Sequence, residues 1–113
     1  MAENEVQKQT TFDGGVVSAQ IEQWKQRYRR VVRIDVVDGE ELHIGYFRRP
    51  TMETMKAVTA LAKKDELESV QVLAKNCWLG GSESLLTDAV LFVALGKELG
   101  TLMGSCMSSL KNV

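Results

Sequence analysis

Histidine and proline occur once each, as His43 and Pro50, and cysteine only twice, as Cys77 and Cys106. A lone histidine outside any Cys-x-x-Cys or His-x-x-x-His setting gives zinc ligation no support. It also leaves nucleophilic catalysis with a single imidazole to serve as base. Two cysteines in apolar, helix-like surroundings are too few for a stapled secreted scaffold, so they read as reduced, core-packed thiols. Neither sign of charge dominates: 14 Lys and Arg face 15 Asp and Glu, for a net charge of -1. There is thus no global field to draw nucleic acid or an acidic membrane. The longest apolar-rich stretch, Ala89 to Met107, is broken by Lys97, Glu98 and glycines, so no membrane span is expected. The N-terminal MAENEVQKQTTFDGG lacks the apolar h-region of a signal peptide. The expected address is the cytoplasm.

Against these absences, 44% of the 113 residues are hydrophobic. A chain of this length forms one domain and buries roughly two-thirds of its unfolded surface. The one proline marks a change of rhythm, at LHIGYFRRP, Leu42 to Pro50. Before it apolar and polar residues alternate as in a half-buried strand; from Thr51 onward apolar residues recur at helical spacing. The fold class is therefore α+β: an N-terminal helix, one β-hairpin, then a mostly helical half of three helices. Residues 1–15 are expected to be a disordered tail ending in an Asp-Gly-Gly turn signal, and residues 16–113 a single domain.

Within that domain Ser18 suits an N-cap, and Val17, Ile21, Trp24 and Tyr28 form an amphipathic stripe that should pack through Trp24 and Tyr28. Val32, Ile34 and Val36 make one strand face, and Leu42, Ile44 and Tyr46 the matching one. Matching these faces requires a three-residue loop, Asp38-Gly39-Glu40, which sets Ile34 opposite Ile44 and Asp35 opposite His43. Thr51 caps the next helix, with Met52, Met55, Val58 and Leu61 as its buried stripe. Asp65 and Glu68 have capping-box spacing, and Leu67, Val70, Leu73, Cys77 and Trp78 line a third helix that Gly80-Gly81 ends. Residues 82–87 form a linker or one turn. A long last helix starts near Thr87 or Asp88, with Leu91, Leu95, Leu99, Leu102, Cys106 and Leu110 on its core face.

Several residues invite a functional reading beside a structural one. Gly96, Gly100, Gly104 and Ser108 recur every four residues, a smooth groove in a helix where each glycine costs about 1 kcal/mol against alanine. Close intramolecular packing and a groove for a partner helix or a second copy both offset that cost. Met52, Met55, Met103 and Met107 suit core filling or an adaptable binding surface. The basic run Lys25 to Arg33 reads as a solvated helix end or as a nucleic-acid contact, although Trp24 and Tyr28 belong to the apolar stripe rather than to a stacking platform. Gly80-Gly81-Ser82 has a phosphate-loop flavour, but a helix precedes it and no Lys-Ser/Thr follows. His43 reads as a strand residue paired with Asp35.

The order of features resembles a family. An aromatic-Arg-Arg-Pro junction, Tyr46-Phe47-Arg48-Arg49-Pro50, closes the hairpin; a Cys77-Trp78-Leu79-Gly80-Gly81 break and a long final helix follow. From about Ile21 to Leu110 the chain is similar to the small tail assembly chaperones of long-tailed bacteriophages and prophages. The resemblance implies a non-enzymatic role, and neither a cofactor nor a metal is expected. The chain would bind the aggregation-prone tape-measure protein, or another phage tail protein, until tube subunits polymerise around it, and would self-associate as a homo-oligomer. It transfers no catalytic residues. The pattern of this chain itself nominates Met52, Met55, Leu99, Met103 and Met107 as partner-binding residues, with a groove at Gly96, Gly100 and Gly104. The alternatives are a small homo-oligomeric adaptor or structural protein and, behind it, a nucleic-acid-binding regulator.

Overall fold

The computed structural model describes residues 9–104, and side chains through Thr101. In chain order the elements are β1 (Thr10–Phe12), α1 (Ser18–Arg27), β2 (Val31–Asp38), β3 (Glu41–Arg48), α2 (Met52–Ala62), α3 (Glu66–Cys77), β4 (Trp78–Gly81), α4 (Ser84–Thr87) and α5 (Ala89–Gly104). The α+β class holds, but a strand rather than a helix comes first, within residues expected to be tail. β1 pairs parallel to β3, with Phe12 opposite His43.

β3 is the axis of the sheet. β2 runs antiparallel along its whole length, and the opposite edge is shared by β1 at Glu41–His43 and by β4 at Gly45–Phe47. The hairpin loop is Gly39-Glu40, closed by Asp38 opposite Glu41, with Gly39 at φ +62°. A glycine with positive φ at the first loop position of a two-residue turn matches the right-handed strand twist. This corrects the three-residue loop. Every pair moves by one, so Ile34 faces Gly45 and Val36 faces His43.

The physical reason is that β3 is buried from His43 through Phe47. On one face Ile34, Val36 and Phe47 join Leu73, Ala74 and Cys77 of α3, Leu85 of α4, and Leu91, Phe92, Leu95 and Leu99 of α5 in one core. On the other face Tyr46 meets Trp24 of α1, ring centroids 5.7 Å apart. A strand covered on both sides loses the alternation that identifies a single inner face. Burying a side chain such as Phe47, Leu85, Leu95 or Leu99 contributes about 1.5–3 kcal/mol each, so the helix-side face dominates.

The helix starts follow local chemistry. Thr51 Oγ1 accepts from Thr54 N–H at 3.1 Å, and Asp65 Oδ1 accepts from Glu68 N–H at 3.0 Å. Asp88 Oδ1 accepts from both Val90 and Leu91 N–H, at 2.9 and 3.0 Å. α1 differs: Val17 is its N-cap, without a side-chain bond, and Tyr28 lies just past its end in extended backbone. Arg48 stacks over the Tyr28 ring at 5.6 Å.

Gly80-Gly81 does not stop a helix. α3 ends at Cys77, and Trp78–Gly81 turns into the sheet as β4. A side chain at Gly80 would come within 2.9 Å of the Trp24 indole. Gly81 has φ +132°, and a Cβ there would strike the Ile44 carbonyl oxygen. Both glycines therefore serve close approach. The α2 stripe is also corrected. α2 packs chiefly on α3, so Met55, Val58 and Leu61 are only half-buried and Met52 is 74% exposed.

Candidate partner-binding surface

The residues nominated from sequence do not converge on one site. Met52 and Met55 line a shallow depression on α2 with Lys56, Thr59, Ala60 and Lys63, an open volume of about 400 Å³. Gly96 belongs to a separate groove between α3 and α5. Leu99 is a core residue, 1% exposed; its spacing on α5 puts it on the Leu91–Leu95 face, which the sheet and α3 cover. Gly100 borders open space, with nothing within 4 Å of where a Cβ would stand. Met103 and Gly104 fall in α5 where side chains are not described, and Met107 lies outside the described residues.

The α3–α5 groove is the more developed feature. Glu66, Leu67 and Val70 form one wall, Phe92, Val93, Gly96 and Lys97 the other, around about 390 Å³. Leu67 is 57% and Val93 68% exposed, although Leu67 was expected in the core. Gly96 allows the two helices to approach, since its Cβ would lie 3.1 Å from Val70 Cγ1. Part of the glycine stripe is thus used inside the molecule, while Gly100 faces outward. Sequence reasoning missed Val90 and Val93. The available signal was that α5 is apolar on more than the Leu91–Leu95–Leu99 face.

His43 lies elsewhere, at the joint of three strands, and is buried. Its Nε2 is 2.9 Å from Glu41 Oε1 and its Nδ1 2.7 Å from Ser82 Oγ. A carboxylate only accepts, so in the neutral ring Nε2–H donates to Glu41 and Nδ1 accepts from the Ser82 hydroxyl. The Phe12 ring stacks on the imidazole with centroids 4.8 Å apart. The expected Asp35 partner points to the other face and holds Arg33 instead, at 2.7 and 3.0 Å. The order serine, histidine, glutamate matches a nucleophile, its base and an orienting group. Ser82, however, is itself buried, and its main-chain N–H is committed to the Ile44 carbonyl. The set ties β1, β3 and the start of α4 together.

The Cys77 thiol is buried among apolar neighbours, which pushes its pKa up; Arg48 opposes this only in part. Cys106 lies outside the described residues. Among the described residues no group of His, Cys, Asp and Glu is placed to hold a metal, and no helix is long and apolar enough to cross a membrane. No protein-family model, curated protein or solved structure matches the chain.

Proposed function

We propose that this chain is a non-enzymatic tail assembly chaperone of a bacteriophage or prophage, acting in the cytoplasm on the tape-measure protein. The observation that carries the reading is the apolar groove between α3 and α5, with Leu67 and Val93 left uncovered. A groove of this kind accepts the apolar face of an amphipathic helix, read through anchors one turn apart, and a long helical client exposes many such faces before assembly. Glu66 and Lys97 at the rim keep the surface soluble. The methionines of α2 offer a second, more adaptable contact.

Co-expression with a tape-measure protein, followed by capture at low and high salt, tests the proposal. Retention of a soluble client at both salts is expected. Leu67→Asp and Val93→Asp replace exposed side chains that line the groove, so each should weaken capture without unfolding the chain. Met55→Asp tests the α2 contact. No capture by the folded wild-type chain, with a discrete self-oligomer instead, overturns the chaperone reading in favour of a homo-oligomeric adaptor.

A further inference from the structure

Among the described residues β2 pairs only with β3, so its other edge is open. Hydrogen bonding on β3 tells which residues point out of that edge. The Ile44 carbonyl accepts from Ser82 N–H at 2.9 Å, on the β4 side, so Ile44 turns its main-chain groups away from β2. Its partner Asp35 correspondingly turns its own away from β3. By the two-residue period of a strand, Val31, Arg33 and Val37 do the same. An antiparallel strand added to this edge must therefore set outward-pointing residues against outward-pointing residues.

The stretch from Arg30 to Asp38, RVVRIDVVD, is its own reverse with the charges exchanged. Arg30 mirrors Asp38, Val31 mirrors Val37, Val32 mirrors Val36 and Arg33 mirrors Asp35, all about Ile34. We propose that β2 pairs antiparallel with β2 of a second copy, about a two-fold axis at Ile34, joining two four-stranded sheets into one. In this register the outward residues Arg33 and Val37 meet Asp35 and Val31 of the second copy, so the main-chain groups are aligned for bonding. Isologous contacts require such self-complementarity.

Both faces of the joined sheet match. On the helix side Val32, Ile34 and Val36 carry the apolar core across the axis. On the other side Val37, 62% exposed, is covered by Val31, and the Arg33–Asp35 pair within each strand becomes a cluster of alternating charge. A slip of one residue opposes outward groups to inward ones. A slip of two in either direction sets Arg33 against Arg33 or Asp35 against Asp35, like charges directly opposed. The charges that would block other edge pairings therefore select this one. The pairing is independent of the chaperone reading.

The test is sedimentation equilibrium of the full chain across a concentration series. A species of twice the 12.6 kDa chain mass is expected to grow with concentration. Arg33→Asp and Asp35→Arg each oppose like charges at both symmetry-related positions and should weaken dimerisation by about tenfold or more. The double variant Arg33→Asp/Asp35→Arg should restore it. An equimolar mixture of the two single variants should also dimerise, since the acidic edge of one then meets the basic edge of the other. Both positions are exposed, and circular dichroism checks the fold. Independently of any variant, the amides of Val31, Arg33, Asp35 and Val37 should gain exchange protection as wild-type concentration rises. A monomer throughout, a dimer indifferent to the single reversals, reversals that mixing does not rescue, or amides that gain no protection would each overturn the pairing.

Discussion

Gly81→Ala should disturb its surroundings, the joint between β3 and β4, more than Gly96→Ala or Gly100→Ala disturbs α5. Gly81 sits at φ +132°, where a side chain costs on the order of 1–3 kcal/mol. The added Cβ would meet the Ile44 carbonyl oxygen and lie 2.8 Å from Gly45 Cα. Both obstacles are main chain of the central strand and cannot swing aside. Relief requires β4 to move off β3, which lengthens the bond from Ser82 N–H to Ile44 and removes about 1 kcal/mol more. The sum is about 3 kcal/mol. With a urea slope of about 1.5 kcal/mol/M for a domain of this size, the unfolding midpoint falls by about 2 M. Trp24 and Trp78 flank the joint and report the transition by fluorescence. Two controls give the experiment its sign. Gly100→Ala enters open space on a helix and should stabilise by about 1 kcal/mol. Gly96→Ala gains the same propensity but presses on Val70 Cγ1 at 3.1 Å, so it should fall between the two. A Gly81→Ala midpoint within about 0.3 M of wild type, or a destabilising Gly100→Ala, would refute the reasoning.

Ser82→Ala leaves Nδ1 of the buried His43 without its donor and should cost about 1–3 kcal/mol in the same urea assay; an unchanged midpoint would show that the hydroxyl is not holding the strand joint. Burial pushes the Cys77 thiol up, so at pH 8 it carries less thiolate than an ordinary cysteine and should resist alkylation until the chain unfolds. Peptide mass spectrometry after iodoacetamide treatment reads this at Cys77 itself, and rapid native labelling there would contradict the packing described.

The parts of the fold that were legible in sequence are those governed by neighbours along the chain. Thr51, Asp65 and Asp88 bond main-chain N–H groups two or three residues away, so their spacing alone announces helix starts. The Leu91–Leu95–Leu99 stripe is visible because one face of α5 is steadily buried. The candidate site was only partly legible. Met52 and Met55 do line a surface depression, but Leu99 was claimed by the core. Leu67 and Val93, which line the α3–α5 groove, carry no mark distinguishing them from core residues. Apolar spacing reports that a helix has a face to cover, not whether the fold covers it.

By itself the sequence determined the α+β class, the hairpin, the helix starts after Pro50 and the antisymmetric charge pattern of β2. Tertiary structure alone decided the hairpin register, the strands β1 and β4, and the partners of His43. The reason lies in β3. Residues His43 to Phe47 are buried on both faces, so hydrophobicity there has no period from which to choose a register. Gly39 supplies the turn, and the helix-side core selects the face that holds Ile34, Val36 and Phe47. Once that face is chosen, His43 turns toward Ser82 and Phe12 and away from Asp35, contacts set by residues 39 positions later and 31 positions earlier in the chain.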